Sequence, residues 1–104
     1  MIIDHRTYTI QHGKSKQYIA LFEKEGLPVQ MKHLGRLVGY FETAIGPLNQ
    51  VVHLWAYDSL ADMETRRAAR DADPAWGEYK KKSAGMLLAQ ENKIVQPTSF
   101  SPLK

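Results

Sequence analysis

The chain has 104 residues, 43% of them hydrophobic and 24% charged, the composition of one globular domain and too little for two. It contains no cysteine, which excludes disulfides, thiolate metal sites, iron–sulfur clusters and a cysteine nucleophile. Fourteen basic residues against eleven acidic leave a net charge of +3, and no apolar run approaches the length of a bilayer span.

Residues 2–11 alternate β-branched and aromatic side chains with polar ones, which predicts a first strand, and Gly13 breaks it. From about Ser15, the residues Tyr18, Leu21, Phe22 and Val29 fall on one helical stripe, with Ile19 at its border. Pro28 lacks an N–H and clashes with the preceding turn, so a kink or restart is expected at Gly26-Leu27-Pro28, with Pro28 opening a second segment. Gly35 is expected to end that helix by adopting positive φ. Residues 36–45 and 50–57 read as two strands joined by a tight hairpin at Gly46-Pro47-Leu48-Asn49.

Ser59-Leu60-Ala61-Asp62 has the pattern of a capping box and predicts a helix over about 60–72. Asp73 and Pro74 then fit an N-cap and a first helical position. Trp76, Tyr79, Met86 and Leu87 continue that helix to about residue 89, as a core stripe rather than a cofactor box. Lys93 to Gln96 read as a last strand ended by Pro97, and Ser99-Phe100-Ser101-Pro102 as an extended tail.

The order is βαββαβ over a single domain, residues 1–104, which suits the α+β, ferredoxin-like split-βαβ plan. That plan is a four-stranded antiparallel sheet with helices on one face. Strand four lies at an edge beside strand one, and strand three lies between strands one and two. The middle hairpin carries apolar residues on both faces: Leu37, Phe41 and Ile45 against Val38, Tyr40 and Ala44, then Val52, Leu54 and Ala56 against Val51, His53, Trp55 and Tyr57. Helices cover only one side of such a sheet, so a homodimer is expected, with two sheets packed face to face into a barrel-like core.

The charge is not gathered into a patch. Residues 62–82 hold six basic and five acidic side chains, and the excess over residues 1–36 is scattered, so a nucleic-acid partner is not expected. With no leader and no span visible, the expectation is a cytoplasmic protein without a membrane span. His5, His12, His33 and His53 have no short ligand spacing, and only His5 and His53 could meet across strands, so no metal is expected. Nucleophile-elbow, phosphate-loop and dinucleotide motifs are absent, and no cofactor is expected.

His53, on an aromatic face with Trp55 and Tyr57, is the candidate general base or ligand contact. Its bland alternative is a partly buried histidine bonded to a neighbour. Arg6 and Tyr8 share one face of the first strand, which the fold sets beside strand three. Arg6, Tyr8, His53, Trp55 and Tyr57 are therefore the expected contacts of a small apolar, aromatic, anionic or carbonyl ligand. Alternatively, Arg6 pairs with a carboxylate and Tyr8 packs. Two classes of function follow: a dimeric binding or interaction module, or a small enzyme working near His53.

The stretch Ile45-Gly46-Pro47-Leu48-Asn49-Gln50-Val51-Val52-His53-Leu54-Trp55-Ala56-Tyr57 resembles the NIPSNAP family. So do Arg6-Thr7-Tyr8-Thr9 before Gly13-Lys14, Leu34-Gly35, Asp73-Pro74-Ala75-Trp76 with Tyr79, and Phe100-Ser101-Pro102. The resemblance implies a ferredoxin-like domain that dimerises into an α+β barrel. Eukaryotic members usually carry the domain in tandem behind a mitochondrial targeting segment, with roles in trafficking and mitochondrial quality control, whereas one copy and no leader are read here. Neighbouring dimeric barrels include cofactor-independent monooxygenases and isomerases with pockets between helices and sheet, which is the source of the enzyme alternative.

Overall fold

The N-terminal alternation forms β1 (Ile2–Ile10) in the computed structural model, which describes residues 1–104. One helical run follows: α1 (Ser15–Leu21), a π-helical turn (Phe22–Gly26) and α2 (Leu27–His33). The restart expected at Pro28 takes the form of this wide turn, in which the Leu27 N–H bonds the Phe22 carbonyl five residues back. Pro28 then sits in the first turn of α2, where its missing N–H costs least. No helix is long and apolar enough to cross a membrane.

β2 (Arg36–Glu42) and β3 (Gln50–Tyr57) are joined by a seven-residue connection, longer than the tight hairpin expected. Gly46 and Asn49 turn it with positive φ, and Ile45, expected on a strand face, lies in it 96% exposed. The capping box opens α3 (Leu60–Asp71): the Ser59 hydroxyl accepts from the Asp62 N–H at 3.1 Å, and the Asp62 carboxylate accepts from Asp58 N–H rather than from Ser59. Asp73 caps α4 (Pro74–Ser83), as expected, and its other oxygen accepts from His33 Nε2 at 2.8 Å, tying α2 to α4. That helix stops six residues short of the predicted end. Gly85 turns the chain at φ +83°, and Met86 and Leu87 lead into β4 (Leu87–Val95), a nine-residue strand where only a short one was expected.

The sheet order is β2-β3-β1-β4, all neighbours antiparallel, which is the ferredoxin-like arrangement expected. Register corrects one expectation about its faces. Leu37 pairs with Trp55 but Gly39 pairs with Leu54, so Val38 is an extra, bulged residue. The bulge reverses the alternation: Leu37 and Tyr40 face the helices, whereas Phe41 lies on the outer face, its ring across Gly39. On the outer face the hairpin is apolar (Phe41, Val52, Leu54), as is the end where Ile3 pairs with Ala56 and Val95, while the rest of β1 and β4 presents His5, Thr7, Thr9, Glu91 and Lys93.

Beneath the helices the apolar core is split. One cluster holds Ile2, Leu34, Trp55 and Tyr57, with Leu27, Leu37 and Met63 against it. The other holds Ile10, Tyr18 and Val51, with Tyr8, Tyr40, Met86 and Leu87 among its neighbours. Gly35, between α2 and β2, does not adopt positive φ. It is small because the chain passes so close to the Ala56 carbonyl that a Cβ would overlap that oxygen.

Two glycine substitutions therefore have opposite expected effects. Gly35→Ala forces a backbone shift and destabilises the domain by about 2 kcal/mol or more. Gly77→Ala, in α4 with open space around the new methyl, stabilises it by about 0.5–1 kcal/mol. Urea unfolding of the two variants checks both signs.

Candidate functional site

A polar row crosses the helix-covered side of the sheet between the two apolar clusters. Asn92 on β4 pairs with Arg6 on β1, Arg6 with His53 on β3, and His53 with Tyr40 on β2. Strand alternation aims these side chains to the same side, and burial deepens towards the middle. Asn92 is exposed, the Arg6 side chain is 15% exposed and His53 is 1% exposed. The bare flank of β4 is thus the open end of the row.

His53 is held on three sides. The Tyr40 ring stacks on it at 4.6 Å between centroids, and Tyr8 meets it edge-on at 4.7 Å. The Trp55 indole N–H donates to Nδ1 at 2.9 Å. An indole N–H is donor only, so Nδ1 keeps its lone pair and the single proton of the neutral ring sits on Nε2. Burial holds the ring neutral, pushing its pKa down to about 4, with the Arg6 charge adding to the effect. His53 therefore presents an N–H at Nε2, and its lone pair is engaged.

Asp4 anchors the other half of the row. It is 1% exposed and accepts from Arg6 Nη1 at 3.0 Å and from Asn92 Nδ2 at 3.2 Å, with Arg67 of α3 at 3.6 Å. Its two oxygens are occupied, and Arg6 is oriented by the contact. Three buried atoms of the row have no protein partner: Arg6 Nε, His53 Nε2 and the Tyr40 hydroxyl. Burial raises the Tyr40 phenol's pKa, so this hydroxyl also keeps its proton. Each such atom costs about 1–3 kcal/mol when left unpaired, and three in adjacent register positions form a concentrated donor set.

Of the expected contacts, the fold brings Arg6, Tyr8 and His53 together and joins Trp55 to them through its indole. Tyr57 is two rows away, in the cluster around Trp55 and beside a separate cavity of about 340 Å³. None of the five principal cavities is lined by Arg6, Tyr8 or His53. His5 pairs with Leu54 on the outer face, on the far side of the sheet from His53. Reasoning from sequence missed Asp4, Tyr40 and Asn92. Asp4 shares the period-two face of Arg6 and Tyr8, a signal that was available, whereas Tyr40 and Asn92 depend on the bulge and on the full length of β4.

The NIPSNAP family model matches residues 3–102. The Dictyostelium discoideum protein NipSnap homolog is 35% identical over 95 residues, covering 91% of this chain and 42% of that protein. The chain spans less than half the length of the curated relatives it matches. A crystal structure of a NIPSNAP family protein of unknown function from Agrobacterium tumefaciens is 44% identical, covers 100% of this chain and 94% of that one, and superposes with a TM-score of 0.96. A Nitrosomonas europaea structure whose description names an antibiotic biosynthesis monooxygenase has 12% identity and a TM-score of 0.69 over 93% of this chain and 98% of its own, a likeness of fold alone.

Neutral burial of His53 makes stability depend on pH. Between an unfolded value near 6.5 and the folded value of about 4, the unfolded chain binds the proton and the folded one does not. Stability is then fully present above pH 6.5 and falls by roughly 3 kcal/mol by pH 4 from this group alone. Urea midpoints from pH 7 to 4 measure the fall, and His53→Gln is expected to flatten it.

Proposed function

The chain belongs to the NIPSNAP family, and from that premise we propose that it is a homodimeric binding domain whose polar row takes a small apolar or aromatic molecule through an oxygen acceptor. The unpartnered donors at Arg6, His53 and Tyr40 carry this assignment. With Asp4 engaged by Arg6 and Asn92, the row offers hydrogens rather than lone pairs, which suits a carbonyl or carboxylate oxygen. Tyr8 and Tyr40 supply aromatic surface for the rest of the ligand, and Trp55 positions His53. The flank at Asn92 is the route of entry.

The alternative, a cofactor-independent monooxygenase or isomerase, needs a base within reach of its substrate. A neutral His53 with Nδ1 bonded to Trp55 and its proton at Nε2 stabilises an oxygen but does not abstract a proton. Binding is therefore preferred over catalysis, and the likeness to monooxygenase structures is left as a matter of fold.

The apolar half of the outer face supports the dimer. Phe41 is 55% exposed and adjoins half-buried Val52 and Leu54, while the polar stretch formed by His5, Thr7, Thr9, Glu91 and Lys93 borders it. Burying such side chains against a second copy gives about 1.5–3 kcal/mol each before association costs, and the helices on the opposite side stay available to the ligand.

Two measurements follow. Aromatic carboxylates and quinone-like compounds are expected to raise the melting temperature by about 10 °C at a hundredfold excess over Kd. Naphthalene, without an oxygen, raises it far less, and His53→Gln or Arg6→Met abolishes the difference; no shift with any oxygen-bearing compound defeats the assignment. Light scattering at about 20 µM is expected to give twice the 11.8 kDa chain mass. Phe41→Lys with Leu54→Lys should return a monomer, and a monomeric parent protein ends the dimer proposal.

A further inference from the structure

The best-enclosed cavity is not on the polar row. It lies between the helical run, α4 and the start of β4, with a volume of about 210 Å³. That is below the size of pockets for drug-sized molecules and fits one ring or a fused pair. Its walls are aromatic: Tyr18, Phe22 and Tyr79 are buried and Trp76 is half-buried, while Lys80 and Gln90 stand exposed at the rim.

These walls are held in place before any ligand arrives. Tyr79 meets Phe22 edge-on at 5.9 Å and lies 5.0 Å from Trp76. The Arg70 guanidinium stands 4.6 Å over the Trp76 ring and is itself fixed by Asp71 at 3.0 Å. Gly26 is there because the wall is so close: a Cβ would come within 3.0 Å of the Tyr79 ring and 2.8 Å of Phe22. Phe22 of the π-helical turn and Gln30 of α2 both line this cleft.

Among the buried side chains of this lining, one polar atom is left unpaired. Gln30 is 4% exposed and its side-chain carbonyl, Oε1, has no hydrogen-bond partner. An amide oxygen buried without a donor is costly, and here it borders a half-open cleft of ring size. Phe22 separates this space from the polar row: it stacks on Tyr40 at 5.0 Å and faces Tyr79 across the cleft.

We propose that the cleft is a second ligand site, taking a flat aromatic molecule whose single N–H or O–H donates to Gln30 Oε1 while its ring packs among Phe22, Tyr79 and Trp76. Its chemistry is the reverse of that of the row, an acceptor in an aromatic box rather than a set of donors. The site does not depend on the row's being occupied.

The test titrates the full-length, 15N-labelled chain with indole, which has the donor, and with benzothiophene, which has the same shape and lacks it. Indole is expected to shift the Trp76 indole signal, the Gln30 side-chain amide and the Tyr79 backbone amide, binding at least tenfold more tightly than benzothiophene. Gln30→Leu should erase that preference while still admitting benzothiophene, and Gly26→Ala should push Tyr79 into the space and weaken both. The Asn92 side-chain amide, on the polar row, should not shift with indole, which separates the two sites. No shifts at the solubility limit, equal binding of the two probes to the parent chain, or shifts mapping away from Gln30 and Tyr79 would overturn the proposal.

Discussion

The hydrogen bond from Trp55 to His53 joins two parts of the molecule that otherwise have opposite requirements. Trp55 belongs to the apolar cluster with Ile2, Leu34 and Tyr57, and its indole N–H, buried among them, needs an acceptor. His53 supplies it and in doing so fixes its own tautomer. The ring is then a buried neutral donor, clamped between Tyr40 and Tyr8, in the middle of the sheet. Beside it Asp4 is a buried charge made tolerable by Arg6, Asn92 and Arg67. Removing one partner of such a cluster strands the other charge, typically at a cost of 3–5 kcal/mol. The row thus runs between two separate apolar clusters, Ile2–Leu34–Trp55–Tyr57 on one side and Ile10–Tyr18–Val51 on the other.

The helical layer is shaped by one proline and one glycine. Pro28 cannot donate to a continuing α-helix, and the chain accommodates it by widening the turn before it. Gly26, at the end of that turn, lets α4 approach until Tyr79 touches the helix backbone region. Phe22 is placed in consequence between Tyr40 below and Tyr79 beside it, so the same short segment walls both the polar row and the aromatic cleft. The contact between His33 and Asp73 holds α2 and α4 at the far side of the layer, and it lowers the Asp73 carboxyl's pKa below its ordinary value.

Much of this architecture was legible from residue order. Alternation marked β1 and β3, Ser59 and Asp73 marked two helix starts, and Gly26-Leu27-Pro28 marked the irregular turn. Arg6, Tyr8 and His53 were found because period two places them on facing sides of strands that the βαββαβ order makes neighbours. Gly35 was recognised as necessary but for the wrong reason, since a helix stop and a close backbone approach leave the same residue in the sequence. Tyr40 was assigned a face with Val38 because nothing local distinguishes a bulged residue from a paired one. Asn92 was lost when Met86 and Leu87, which mimic helical spacing after Tyr79, extended α4 into what is β4. Gln30 gave no signal, because a glutamine on a helix is ordinarily exposed.

By itself, the sequence determined the kinds of elements, their order and most of their starts, because turn chemistry, capping and side-chain period act over a few residues. The tertiary structure alone decided which polar atoms are left without partners. Whether Arg6 Nε, His53 Nε2, the Tyr40 hydroxyl and Gln30 Oε1 find a hydrogen bond depends on strand register, on the single extra residue at Val38 and on the distance between α4 and the π-helical turn. A one-residue slip reverses every side chain of a strand, and an approach closer by one methyl group fills a cleft. Those quantities are set by the packing of segments distant in the chain, so local pattern does not contain them.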